Sequence, residues 1–139
     1  MPVPPPRPLT PLELDVMNAL WELGPAPLQA VHARLAAQRA GARAGQRPLA
    51  YTTVQTMLNV LHRKGKVLRA RRGRAFVYRA KESRRAASMQ ALATMLRRFF
   101  GGSAEGLVLS MVEAGQLEPE ALERLRRLAE SLAEKGAEP

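Results

Sequence analysis

From Thr10 onward the apolar positions recur at helical spacing. Leu14, Met17, Leu20 and Trp21 fall on one face of a helix that runs to about Leu23. Thr10-Pro11-Leu12-Glu13 supplies its start: a capping hydroxyl, a proline suited to the first turn and the acid of a capping box. Gly24-Pro25 ends it. A second helix, about Leu28–Ala37, places Leu28, Val31 and Leu35 inward, and Gln38–Leu49, rich in Gly, Ala and Arg, reads as a flexible basic loop. A third helix spans about Thr52–Lys64 and stops at Gly65. Val67–Arg71 and Ala75–Ala80 are short β-rich runs separated by Arg72-Gly73-Arg74, which is a hairpin signal. Three helices followed by a basic hairpin is the element order of a winged helix. The expected fold is therefore mainly α with a small β-hairpin wing.

Beyond Glu82 the pattern is purely helical. Met89, Leu92, Ala93, Leu96 and Phe99-Phe100 repeat at helical spacing until Gly101-Gly102 breaks it. Ser103 can cap a further helix carrying Leu107, Val108, Met111 and Val112, which ends near Gly115. Pro119 opens a last one with Leu122, Leu125, Leu128 and Leu132. Three amphipathic helices in fewer than sixty residues make a thin core alone, so a second copy is the expected cover. The expected division is a disordered Pro-rich tail at 1–9, a winged-helix DNA-binding domain at 10–81 and a three-helix dimerisation tail at 82–135. Leu92, Leu96, Phe99, Leu107, Met111, Leu122, Leu125 and Leu128 are the expected dimer contacts.

Charge sharpens this division. Of the formal net charge of +10, residues 1–81 carry 14 Lys and Arg against only Glu13, Asp15 and Glu22, whereas residues 82–139 carry eight against nine acids. No acid occurs between Glu22 and Glu82. A basic half joined to a near-neutral half fits a polyanion-binding module joined to a segment with another task. The absence of cysteine removes disulfides, thiolate metal sites and thiol catalysis. His32 and His62 lack metal-ligand spacing, and no Ser-His-Asp set, phosphate loop or carboxylate pair can be assembled. Neither an enzyme nor a cofactor or metal site is expected. No run has the length of a membrane span or the look of a signal peptide, so a cytoplasmic protein without membrane insertion is expected.

The third helix carries the candidate chemistry. At about 100° per residue, Val54, Met57, Leu58 and Leu61 cluster on one side. Thr52, Thr56, Asn59 and Arg63 fall opposite, flanked by Thr53 and Gln55. Hydroxyls, an amide and a guanidinium, with no acid among them, suit base edges and phosphates of a major groove. Thr-Thr-x-Gln-Thr is poor helix-forming material for a merely solvated face. In the hairpin, Arg63, Lys64, Lys66, Arg69, Arg71, Arg72 and Arg74 lie within twelve residues, interleaved with Val67 and Leu68 and followed by Phe76 and Tyr78. Alternation is expected to bury one face and leave Arg69 and Arg71 on the other. The tip, with Arg72 and Arg74, can then reach the backbone or an adjacent minor groove.

Leu9-Thr10-Pro11-Leu12-Glu13-Leu14-Asp15-Val16-Met17 with Leu20-Trp21, and Ala50-Tyr51-Thr52-Thr53-Val54-Gln55-Thr56-Met57-Leu58 with Lys64-Gly65, resemble the first and recognition helices of the penicillinase-repressor (BlaI/MecI) family. The resemblance covers about residues 9–132 and is most specific in Tyr51–Thr56. It implies a homodimeric repressor acting on double-stranded DNA at palindromic operators. In the antibiotic-responsive members a membrane metalloprotease system relieves repression by cleavage in the dimerisation region, which would make a regulatory protease a partner. Two departures are plain: Arg98 precedes Phe99 where the family's cleavage pattern has Asn, and the cysteine cluster of its copper-responsive members is missing. Asn59 and Val60 stand where basic residues are common, and the Gln38–Leu49 loop is longer than usual. The alternative to operator binding is a winged-helix module that binds protein or RNA; operator binding is distinguished by surviving excess random DNA and weakening steeply with salt.

Overall fold

The computed structural model describes residues 9–40 and 48–137. The expected tail, apart from Leu9, and most of the expected Gln38–Leu49 loop lie outside the described residues. Those described form six helices and three strands: α1 (Pro11–Leu23), β1 (Ala26–Pro27), α2 (Leu28–Ala40), α3 (Tyr51–Arg63), β2 (Val67–Arg72), β3 (Ala75–Ala80), α4 (Arg84–Phe100), α5 (Ala104–Glu113) and α6 (Pro119–Ala137). This is a winged helix followed by three helices. The chain divides into two units, and the division lies inside α4, between Ala91 and Leu92.

In the first unit, α1 begins as its sequence requires. The Thr10 hydroxyl accepts from the Glu13 N–H at 3.2 Å, and the Thr10 N–H donates to Glu13 Oε1 at 2.9 Å, so both arms of the capping box are made. Its buried face differs from the expected one: Val16, Met17, Ala19 and Leu20 are inside together with Glu13, while Leu14 is 43% exposed. The reason is that α1 packs on α2, α3 and β3 at once, so its buried arc is set by three neighbours. α2 runs to Ala40, three residues past the expected end. Ala, Gln and Arg all favour continuation, and Arg34 Nε and Gln38 Nε2 both donate to Glu22 Oε2, at 2.9 and 3.4 Å.

β1 was not expected, being two residues long and half proline. It pairs antiparallel with β3, Ala26 opposite Tyr78 and Pro27 opposite Val77, in a sheet of order β1-β3-β2. Proline has no N–H to donate, and an edge strand is where a sheet tolerates it. Leu20, Leu35, Leu58 and Leu61 with Val16, Val31, Val54 and Val67 are fully buried, and Tyr78 and Ala26 join them. Trimming any of the four leucines to Ala costs about 2–5 kcal/mol. The unit is closed at its far end by Trp21, whose Nε1 donates to the Glu82 carbonyl at 2.9 Å beneath the Arg84 guanidinium.

The second unit is built differently. Gly101 and Gly102 take positive φ and end α4, with the Gly102 N–H returning to the Leu96 carbonyl at 2.8 Å. The Ser103 hydroxyl then caps α5 by accepting from the Gly106 N–H at 3.0 Å. On α6, Arg126 is paired with Glu123 and Glu130, at 2.6 and 2.5 Å. None of the described residues of this unit is buried.

Candidate nucleic-acid interface

Both ends of α3 are tied to other helices. Ala50 at the N-cap offers no side-chain bond. Instead His32 of α2 reaches the Leu49 carbonyl through Nε2 at 2.9 Å and meets the Tyr51 ring edge-on, with centroids 5.6 Å apart. A carbonyl only accepts, so this nitrogen carries the proton. At the other end, Lys64 Nζ donates to Glu13 Oε2 at 2.8 Å. The Glu13 side chain is 3% exposed and that of Lys64 30%. Burial alone would push the Glu13 carboxyl up, but the Lys64 ammonium and the Thr10 amide and hydroxyl outweigh it and hold the group below the ordinary carboxylate range. Glu13 therefore caps α1 with one oxygen and anchors α3 with the other. Its place in a capping box was legible in the sequence; its partner 51 residues away was not.

With α3 fixed in this way, Val54, Leu58 and Leu61 are buried and Met57 is half-buried. Thr52, Gln55, Thr56 and Arg63 are exposed, while Thr53 and Asn59 are half-buried. Asn59 is not free at its oxygen: Oδ1 accepts from Arg69 Nη1 of β2 at 3.1 Å. In the hairpin, Arg72 pairs with Ala75 across a two-residue turn, Gly73-Arg74. Gly73 has φ 64°, the positive value required at the first position of a type II′ turn. Arg72 and Arg74 at this tip are exposed.

The expectation that alternation would separate Arg69 and Arg71 from the buried face is corrected here. Directly opposed residues of an antiparallel pair project to the same side. Arg69 lies opposite Tyr78 and Arg71 opposite Phe76, so both arginines share the face whose root, Val67 and Tyr78, is buried. Burial fades along the hairpin because its outer half projects past the helices. There the Arg69 guanidinium lies over the Phe76 ring, 4.4 Å from its centroid, with Arg71 at 5.9 Å. Phe76 is 38% exposed. The alternation pattern does not mark these contacts, although a two-residue turn at Gly73-Arg74 implies the register that creates them.

The arginines at the end of α3 and in the wing stand apart from the paired ones. Among the described residues, no ion pair involves Arg63, Arg69, Arg71, Arg72, Arg74 or Arg79, whereas Arg126 and Arg127 of α6 are paired with glutamates. Glu22, the last acid before Glu82, is engaged by Arg34 and Arg84. Of the expected dimer contacts, Leu92, Phe99, Leu125 and Leu128 are exposed, Phe99 by 78%, and Leu96, Leu107, Met111 and Leu122 are half-buried. Among the described residues no helix is long and apolar enough to cross a membrane, and no cluster of His, Cys, Asp or Glu has the makings of a metal site.

Among solved structures the chain is similar to a MarR family protein from Bacillus stearothermophilus, at 21% identity over 91% of this chain and 77% of that one, with a TM-score of 0.43. No curated protein matches it. Residues 9–131 match the penicillinase repressor family, a stretch that takes in the winged helix, α4 and α5 and most of α6. The chain therefore belongs to the penicillinase repressor family and is a transcriptional regulator of the winged-helix type.

Proposed function

We propose that the protein is a homodimeric repressor that binds double-stranded DNA sequence-specifically at a palindromic operator. The observation that carries this reading is the surface of α3 and the wing, where exposed hydroxyl, amide and guanidinium groups stand without an ion pair to any carboxylate among the described residues. A helix with its side chains is about 10–12 Å across, and the major groove about 12 Å wide. α3 would lie in that groove with Thr52, Gln55, Thr56 and Arg63 toward base edges and Thr53 and Asn59 at the margins of the contact. Arg72 and Arg74 at the wing tip would meet the backbone or the neighbouring minor groove.

The second unit supplies the reason for two copies. Leu92, Phe99, Leu125 and Leu128 leave apolar surface in water, and a partner's matching helices would remove it. A two-fold pair of heads then reads two half-sites, spaced by about 34–36 Å or a multiple of it, and repression follows from occupancy of a promoter. Selection of fragments from the source genome by the purified protein tests this reading. A small set of related, inverted-repeat fragments should be enriched and should survive random competitor DNA. Uniform recovery of all fragments would refute sequence-specific binding.

A further inference from the structure

The bond between Asn59 and Arg69 joins the two parts of the surface that would touch DNA. Asn59 belongs to α3 and Arg69 to β2, and Asn59 Oδ1 holds Arg69 Nη1 at 3.1 Å. The ring of Phe76 supports the same guanidinium from one face at 4.4 Å. A guanidinium carries five N–H donors in a fixed plane. One bond to Asn59 and one aromatic face define that plane while leaving its other donors available. Arg71 approaches the same ring at 5.9 Å, so two like charges share one aromatic support with no acid between Glu22 and Glu82 to offset them. An anion is the ligand that relieves such crowding, and a planar fork matches the oxygens of a phosphate.

We infer that Asn59 is a positioning residue: it presets Arg69, stacked on Phe76, as a phosphate ligand at the junction of α3 and the wing, so that helix and wing engage a duplex in one fixed relation. This rests on the DNA-binding reading above. It gives the amide of Asn59 a task other than reading a base, and gives Phe76 a reason to be exposed.

The test measures binding of the full chain to a random-sequence duplex of about 30 base pairs over a range of salt, where phosphate contacts alone set the affinity. Arg69→Ala should lower the slope of log K against log salt by about 0.9. Arg69→Lys, which keeps the charge but loses the planar fork and the stack, should keep the slope and bind several-fold more weakly. Asn59→Ala should weaken binding by about fivefold in the native background and by less than about twofold beside Arg69→Ala, because the two act as a unit. Thermal melts should leave the three single variants and the double variant folded at the assay temperature. An unchanged slope in Arg69→Ala, or an equal loss from Asn59→Ala in both backgrounds, would overturn the inference while leaving DNA binding intact. A native protein with no salt-dependent binding would overturn the DNA reading and this inference with it.

Discussion

Replacing Lys64 by Met should destabilise the protein more than replacing its partner Glu13 by Gln, although each change breaks the same 2.8 Å pair. Lys64 keeps access to water, whereas Glu13 is nearly sealed from it. In Lys64→Met the carboxylate stays buried, with the bond from the Thr10 N–H to Oε1 and the neighbouring Thr10 hydroxyl as its remaining support. It can escape by protonating, which at about pH 7 costs about 1.4 kcal/mol for each unit separating that pH from its pKa. That outlet and the water around Nζ cap the loss below the 3–5 kcal/mol typical of a fully buried broken pair, at about 1.5–3 kcal/mol. Glu13→Gln can retain the capping box, since glutamine serves at that position, and it frees Lys64 into solvent, so about 0.5–1.5 kcal/mol is expected.

The two variants should also differ in pH dependence. In the native protein Glu13 titrates below its ordinary range, so its contribution is present above the unfolded pKa and is lost as pH falls through the folded one. In Lys64→Met the ammonium that held the carboxyl down is gone, so the folded pKa rises from its native value. The deficit relative to the native protein should therefore shrink as pH falls through the variant's raised pKa toward the native one. Urea unfolding of both proteins at several pH values measures this. A Lys64→Met deficit smaller than that of Glu13→Gln, or one that does not change with pH, would refute the electrostatic account of how α3 is anchored.

Three further outcomes are expected. Thr52→Ala, Thr56→Ala and Arg63→Ala should weaken binding to a selected operator by about 1–3 kcal/mol wherever a base contact is lost; titration showing native affinity in all three would remove α3's exposed face from the interface. Leu125→Glu with Leu128→Glu should convert a dimer into a monomer in sedimentation and weaken operator binding, because the two heads are no longer linked; a dimer that persists would place the contact elsewhere. Leu58→Ala, at a fully buried site of α3, should lower unfolding stability by about 2–5 kcal/mol, and a loss below about 1 kcal/mol in denaturant titration would show that the site collapses around the gap.

The legible parts of this protein are those where a local rule settles the answer. Thr10, Pro11 and Glu13 announce a helix start that needs no tertiary partner, and Gly73 announces its turn. The apolar side of α3 was legible for the same reason: Val54, Leu58 and Leu61 repeat at helical spacing against a continuous core. Where several elements compete for one residue the pattern misleads. Leu14 looks apolar and inward yet is exposed, while Glu13 looks solvated yet is buried, because α1 is enclosed by three neighbours and its acid by a lysine far along the chain. β1 carried no period to read, since two residues cannot show one. The wing illustrates a third case: alternation described the strands, but the projection of the hairpin beyond the core decided which positions are covered. Asn59 was marked by its place on the polar stripe of α3, and only the three-dimensional contact with Arg69 reveals its second partner.

If two copies of α3 enter the major groove of one operator, hydroxyl-radical footprinting of the protein on a fragment it selects should record the pair. Two protected patches related by a two-fold axis are expected, their centres about 10 base pairs or a multiple of that apart. The protection should vanish in Thr56→Ala with Arg63→Ala. A single patch, protection without symmetry, or protection that the double variant leaves unchanged would contradict that arrangement.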